Sequence, residues 1–146
     1  MEGTVYLSYS DVLNVYKKTI DKSGGGFSGI RDKGGIAAIL SFVQNDIYYP
    51  TFEDKLSYLV YRFCTGHFFD DGNKRIALTV GVAFLLNNGY IFIARSFMQE
   101  MEAIILHVAA GKIKEDLLKQ IICCIVEQKD YSESLKLDII HAISDE

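Results

Sequence analysis

Between His67 and Arg75 the chain gathers an unusual set of reactive side chains. The run His67-Phe68-Phe69-Asp70-Asp71-Gly72-Asn73-Lys74-Arg75 holds a potential base, two carboxylates, a glycine, a carboxamide and two cations. It is followed by Ile76 to Leu86, almost wholly apolar, so a polar loop opens onto a segment that reads as the most buried helix. Two cations in the first turn of a helix face the positive end of its dipole, which disfavours them. A bound anion relieves that conflict, and glycine turns at helix N-termini cradle phosphates with backbone N–H groups. The run therefore reads as a phosphate site with a histidine beside it.

Each residue then has a role to test. Imidazole titrates near neutral pH, so His67 suits removal of a proton from a hydroxyl. His107 and His141 lack such company and read as structural. Asp71, with Asp70 next, is the candidate ligand for Mg²⁺, which commonly takes one or two carboxylates and completes its shell with substrate phosphates. Favourable charge–dipole placement also explains aspartates there, but not the Lys74-Arg75 pair. Gly72 permits the turn and exposes amides. Asn73 either caps the helix or donates its amide to a phosphate oxygen. Lys74 acts as a point charge and Arg75 as a bidentate partner for phosphate. Phe69 reads as the buried anchor of the loop, and Phe68 as either anchor or site residue. Together these parts suit phosphoryl or nucleotidyl transfer. The chain has neither G-x-x-x-x-G-K-[ST] nor G-x-G-x-x-G, which excludes the usual P-loop and protein-kinase phosphate loops.

The rest of the chain must position that loop. Its 146 residues, nearly half of them apolar, suit one domain with one core. A net charge of −4 excludes a general nucleic-acid binder, which needs a basic face. The three cysteines, Cys64, Cys123 and Cys124, show no C-x-x-C spacing and form neither a zinc site nor a disulfide framework. They read as small buried hydrophobes in a reducing compartment. The N-terminus is polar and acidic, unlike a signal peptide, and Ile76–Leu86 is too short to span a bilayer. The expectation is a cytoplasmic protein with no membrane partner.

Ser8-Tyr9-Ser10-Asp11 is a capping pattern, and Val12, Val15, Tyr16 and Ile20 recur at helical spacing, predicting a helix over about 10–21. Gly24 to Gly35 is glycine-rich and carries the charged turn Gly29-Ile30-Arg31-Asp32; it reads as a flap beside the site, or as a plain connector. A second helix is expected from Ile36 to about Gln44, and a third over 52–65, capped by Thr51 with Asp54 three residues on. The fourth runs to about Asn87 and stops at Asn88-Gly89. Tyr90–Ile93 reads as extended, Ser96 as the cap of a fifth helix ended by Gly111, and helices over about 114–127 and 131–144 complete the chain. The fold class is all-α, a bundle around the fourth helix as its central apolar member, with a short flap.

The run from His67 to Arg75 meets each specified position of H-x-F-x-[DE]-[GA]-N-[GK]-R, the signature of the Fic/Doc (Fido) family, which this chain resembles. Lys74 resembles the death-on-curing (Doc) branch, where Fic AMP-transferases usually carry glycine. Gly29-Ile30-Arg31-Asp32, Tyr49-Pro50-Thr51 and Val108 to Ile113 are similar as well, so the resemblance covers about residues 5–126. The expectation is one Fido domain over 1–146, with about 127–146, which the resemblance does not cover, as a C-terminal helical extension.

The resemblance further implies Mg²⁺ and ATP or another nucleoside triphosphate, with His67 as general base, Asp71 as metal ligand, and Gly72, Asn73, Lys74 and Arg75 on the nucleotide phosphates. It implies a flap, Gly24–Asp32, that docks a target protein by strand-like pairing. Fic enzymes transfer AMP to a target hydroxyl. The Doc branch is described as transferring the γ-phosphate to elongation factor Tu, with the nucleotide inverted. Leu78 stands where many Fic enzymes place a second arginine, which favours phosphate transfer; Gly72 is the Fic-like choice. Ser96-x-x-x-Glu100 is followed by Met101 and does not complete the family's inhibitory pattern, which fits restraint by a separate antitoxin chain. The expected function is a Doc-like toxin phosphorylating a translation factor. The alternatives are AMP or other nucleotidyl transfer, and a non-catalytic module that binds a partner through the flap.

Overall fold

The computed structural model describes residues 3–22 and 29–144, so the part of the expected flap before Gly29 lies outside the described residues. Among the described residues there are seven helices: α1 (Tyr9–Lys22), α2 (Lys33–Phe42), α3 (Phe52–Thr65), α4 (Asn73–Asn87), α5 (Ile91–Ala109), α6 (Glu115–Glu127) and α7 (Glu133–Ile143). The only extended pairing among the described residues is an isolated antiparallel bridge between Ile30 and Phe69. The fold is all-α, as the helical periodicity requires.

Helices α3 and α4 form the centre. α4 packs against α1, α3 and α5, while α3 also meets α2 and α6. Gly81 allows the close approach: a Cβ there would lie 3.0 Å from the Phe97 ring and from Val60. The most buried helix, however, is α3 and not α4. α3 buries ten of its fourteen residues, from Phe52 to Cys64, because it is enclosed by helices on several sides. The first turn of α4 stays open, since Lys74 and Arg75 are exposed there.

Local signals decide where these helices begin. Ser8 and Asp11 exchange the expected bonds: Ser8 N donates to Asp11 Oδ2 at 2.8 Å and Asp11 N to Ser8 Oγ at 3.1 Å. Thr51 and Asp54 form a full capping box at α3. Two starts differ from expectation. α2 begins at Lys33 rather than Ile36, because Asp32 caps it by accepting from Gly35 N at 2.8 Å. α5 begins at Ile91 rather than Ser96, and Tyr90–Ile93 is not extended. Its aromatic and β-branched residues suggest a strand, but Tyr90 N bonds back to Leu85 O at 2.9 Å after the Asn88-Gly89 stop, and the next turn is already helical. Ser96 therefore lies inside α5, its hydroxyl donating to Ile93 O at 3.1 Å.

Two polar groups inside the core are fully partnered. Lys55, 1% exposed, donates to Asp46 at 2.7 Å and to Val43 O at 3.3 Å and lies over the Tyr6 ring, tying the N-terminal segment and the α2–α3 loop to α3. Asp54 pairs with Lys119 of α6 at 2.5 Å. Burial pushes the Asp54 carboxyl up, but the Lys119 ammonium and the Thr51 bonds outweigh it and hold its pKa below the ordinary value. A depressed carboxylate stabilises the fold above its unfolded pKa and loses that contribution as pH falls through the folded one. Asp54→Asn is expected to lower stability by about 2 kcal/mol near neutral pH and by less in acid, where the parent also loses the charge. Urea unfolding at pH 7 and pH 3 checks the prediction; an equal loss at both would refute it.

Candidate active site

α3 delivers the chain to Gly66, and α4 starts at Asn73, so the candidate residues lie on a short loop between the two central helices. Two aromatic anchors fix that loop. Phe69 is 0% exposed and stacks on Tyr16 of α1, ring centroids 4.7 Å apart. Phe68, also buried, meets Phe63 edge-on at 5.6 Å and fills the space left by Gly35 and Gly66, where a Cβ would come within 2.7 Å of its ring. Phe68 is thus a second anchor, not a site residue.

With these two consecutive rings turned inward, the polar groups on either side are left outward. His67, Asp70, Asp71, Lys74 and Arg75 are all exposed, and with Gly72 and Asn73 they line a cavity of about 550 Å³. His67 holds a left-handed backbone, φ 53°, which is unusual for a non-glycine residue and carries a local cost. Gly72 is also left-handed, φ +79°, and is the N-cap of α4 without any side-chain cap. The first helical bond runs from Ile76 N to Gly72 O at 2.9 Å, so the N–H groups of the first turn lie outside the helical ladder, as at helix N-termini that suit an anion.

The remaining polar groups divide by partner. Asp71 Oδ1 accepts from Gly72 N at 2.8 Å, and its Oδ2 lies 4.0 Å from Arg75 Nη2. Asp70 is turned to the flap, where its Oδ1 lies 3.4 Å from Arg31 Nε. Asn73 does not cap α4. Its Oδ1 accepts from Phe69 N at 3.3 Å and its Nδ2 donates to Phe69 O at 3.0 Å, so the carboxamide braces the loop from within the helix. The flap joins the same place: Arg31 N and Asp32 N donate to Phe68 O, and Asp70 N donates to Gly29 O. In this antiparallel arrangement the peptide groups of Ile30 point to the opposite edge, away from the loop.

Sequence reasoning missed Thr65 and Ala109, which complete the cavity from the ends of α3 and α5. Cys64 lines it as well, but burial pushes its thiol up to about 11 despite the pull of Lys74, so it stays protonated. No group of three or more His, Cys, Asp or Glu among the described residues is placed to hold a metal. One exposed carboxylate, Asp71, fits Mg²⁺ that arrives on nucleotide phosphates rather than a metal caged by protein. Glu100, the acid of the incomplete inhibitory pattern, lines a separate cavity with Lys129, Tyr131 and Lys136. A groove of about 620 Å³ between α1, α4 and α5 shares Arg75 with the candidate site; Leu78, Val82 and Met98 form its apolar floor. Among the described residues no helix is long and apolar enough to cross a membrane.

The sequence model of the Fic/DOC family matches residues 6–85, which include both the flap and the whole loop. The chain is 34% identical over 88 residues to "Protein kinase doc" of Escherichia phage P1, covering 58% of this chain and 68% of that protein. No solved structure matches. With more than half of its length matched, and the motif residues gathered at one cavity, the chain belongs to the Fic/DOC family.

Proposed function

We propose that the chain transfers the γ-phosphate of ATP to a hydroxyl of a target protein of the translation-elongation-factor type. The observation that carries this reading is the cavity itself, which brings His67, Asp71, Lys74 and Arg75 around the uncapped N-terminus of α4. The triphosphate would lie on the first-turn amides, with Lys74 and Arg75 neutralising its charge. His67 would take the proton of the attacking hydroxyl. A new O–P bond then forms as the bond between the γ-phosphorus and its bridging oxygen breaks, releasing ADP. Asp71 would hold Mg²⁺, which when bound neutralises charge on the phosphate oxygens.

The choice of phosphate over nucleotide rests on positions 74 and 78. Lys74 puts a cation at the cavity beside Arg75, whereas Leu78 lies in the apolar groove and adds no further cation to the phosphates. The name of the phage P1 relative supports the same choice. Gly72 favours the second reading, AMP transfer, because it is the Fic-like residue at its position. Parallel incubations of the chain and elongation factor Tu with γ-labelled and α-labelled ATP separate the two. Label from the γ position alone is the expected result; label from the α position overturns phosphate transfer in favour of AMP transfer.

The target would pair with the outer edge of Ile30 in the flap, whose inner edge is bonded to Phe68 and Asp70. An antitoxin chain would have the α1–α4–α5 groove available beside Arg75, with Lys18 and Glu102 also lining it. Its activity would be exerted in the cytoplasm, where the target and ATP are found.

A further inference from the structure

We infer that Tyr16 is a positioning residue for the His67–Asn73 loop, an inference that rests on the transfer reading above. One face of α1 meets the loop at two points. Tyr16 stacks on Phe69 with an interplanar angle of 17°. One turn on, Ile20 closes on the Gly72 turn, where a Cβ would lie 3.4 Å from Ile20 Cδ1. Between them the Thr19 and Thr79 hydroxyls, 3.1 Å apart, join α1 to α4. Phe69 is the point where three supports meet: the Tyr16 ring, the Asn73 carboxamide on its N–H and C=O, and the Ile30 bridge. His67 lies two residues before it and Asp71 two after. A shift of the Phe69 ring therefore moves the base and the carboxylate together, while the amides of Asn73 to Arg75 remain fixed by α4.

The Tyr16 hydroxyl is not what binds. It is buried, in a residue only 8% exposed, and it has no hydrogen-bond partner among the described residues. The flat ring against Phe69 is the working part, and phenylalanine supplies the same ring without an unsatisfied hydroxyl.

Three variants of the full chain test this: Tyr16→Phe, Tyr16→Leu, and Val12→Ala as a destabilised control from the same face of α1, where Val12 is 0% exposed. Transfer kcat, the Kd for a non-hydrolysable ATP analogue with Mg²⁺, and exchange of the Phe69 and Asp70 amides are measured. Tyr16→Leu is expected to lower kcat by about tenfold to a hundredfold, with Kd within about twofold and faster exchange at both amides. Tyr16→Phe keeps the parent kcat and exchange and melts no lower than the parent. Val12→Ala lowers the melting temperature without either effect. Equal loss of kcat in Tyr16→Leu and Val12→Ala, or loss in Tyr16→Phe, overturns the assignment. If the parent transfers nothing, the functional reading fails, and amide exchange alone then decides whether Tyr16 holds the loop.

Discussion

His67→Ala is expected to reduce transfer by about two to four orders of magnitude while leaving the fold intact. The two halves of that result come from different features. The proposed transfer needs a base at the cavity, and among the described residues His67 is the only histidine lining it. Stability does not depend on it, because the imidazole is exposed and no packing is lost. His67→Gly sharpens the test. A left-handed backbone costs an L-residue about 1–2 kcal/mol, which glycine avoids, though glycine gives back roughly 0.5–1 kcal/mol in chain entropy. His67→Gly should therefore melt at or slightly above the parent temperature and still be inactive. Retention of more than about a tenth of the parent rate in His67→Ala would falsify the base assignment against the factor expected of a general base. Equal growth arrest by parent and variant in cells would instead favour a module that acts by binding alone.

Asn73 gives the second large effect, on stability as well as activity. Its carboxamide satisfies both the N–H and the C=O of Phe69, a residue with no exposed surface. Asn73→Ala leaves both groups without that partner and should cost about 2 kcal/mol, a fall of roughly 4–8 °C in melting temperature. Transfer should fall further than the loss of folded protein explains, since the loop carrying His67 and Asp71 is no longer held from α4. Asn73→Asp separates the contributions. Its carboxylate still accepts from Phe69 N and suits a helix N-terminus, but it cannot donate to Phe69 O, so about 1 kcal/mol of the loss should remain. The added negative charge beside the phosphate site should nevertheless abolish nucleotide binding. Calorimetric titration with ATP analogue and Mg²⁺ is the measurement; tight binding by Asn73→Asp would show that residue 73 faces only the loop.

Much of the framework can be read from local pattern. Ser8–Asp11 and Thr51–Asp54 specify their helix starts by side chains three residues from the amides they cap, and nothing distant competes. Gly89 and Gly111 end helices for the same local reason, each adopting a left-handed φ. Where local pattern misled, tertiary contacts decided. Tyr90 to Ile93 has the composition of a strand but no partner strand, and it forms the cap and first turn of α5. Asn73 has the type and place of a cap, yet its carboxamide turns back four residues to Phe69.

For the candidate site the sequence by itself determined the reactive inventory. Nine consecutive residues from His67 to Arg75 carry the family motif, the proposed chemistry and the start of the helix proposed to bind the anion, because these depend on side-chain type and short spacing. Only the tertiary structure decided how the inventory is sorted. Asp70 is drawn to Arg31 on the flap while Asp71 remains beside Arg75. Phe68 and Phe69 both turn inward, against partners on α3 and α1. Arg31, Tyr16 and Phe69 are far apart in the chain and adjacent only after folding. The physical reason is that a buried ring or a paired carboxylate is fixed by what lies across from it, and that neighbour comes from another helix.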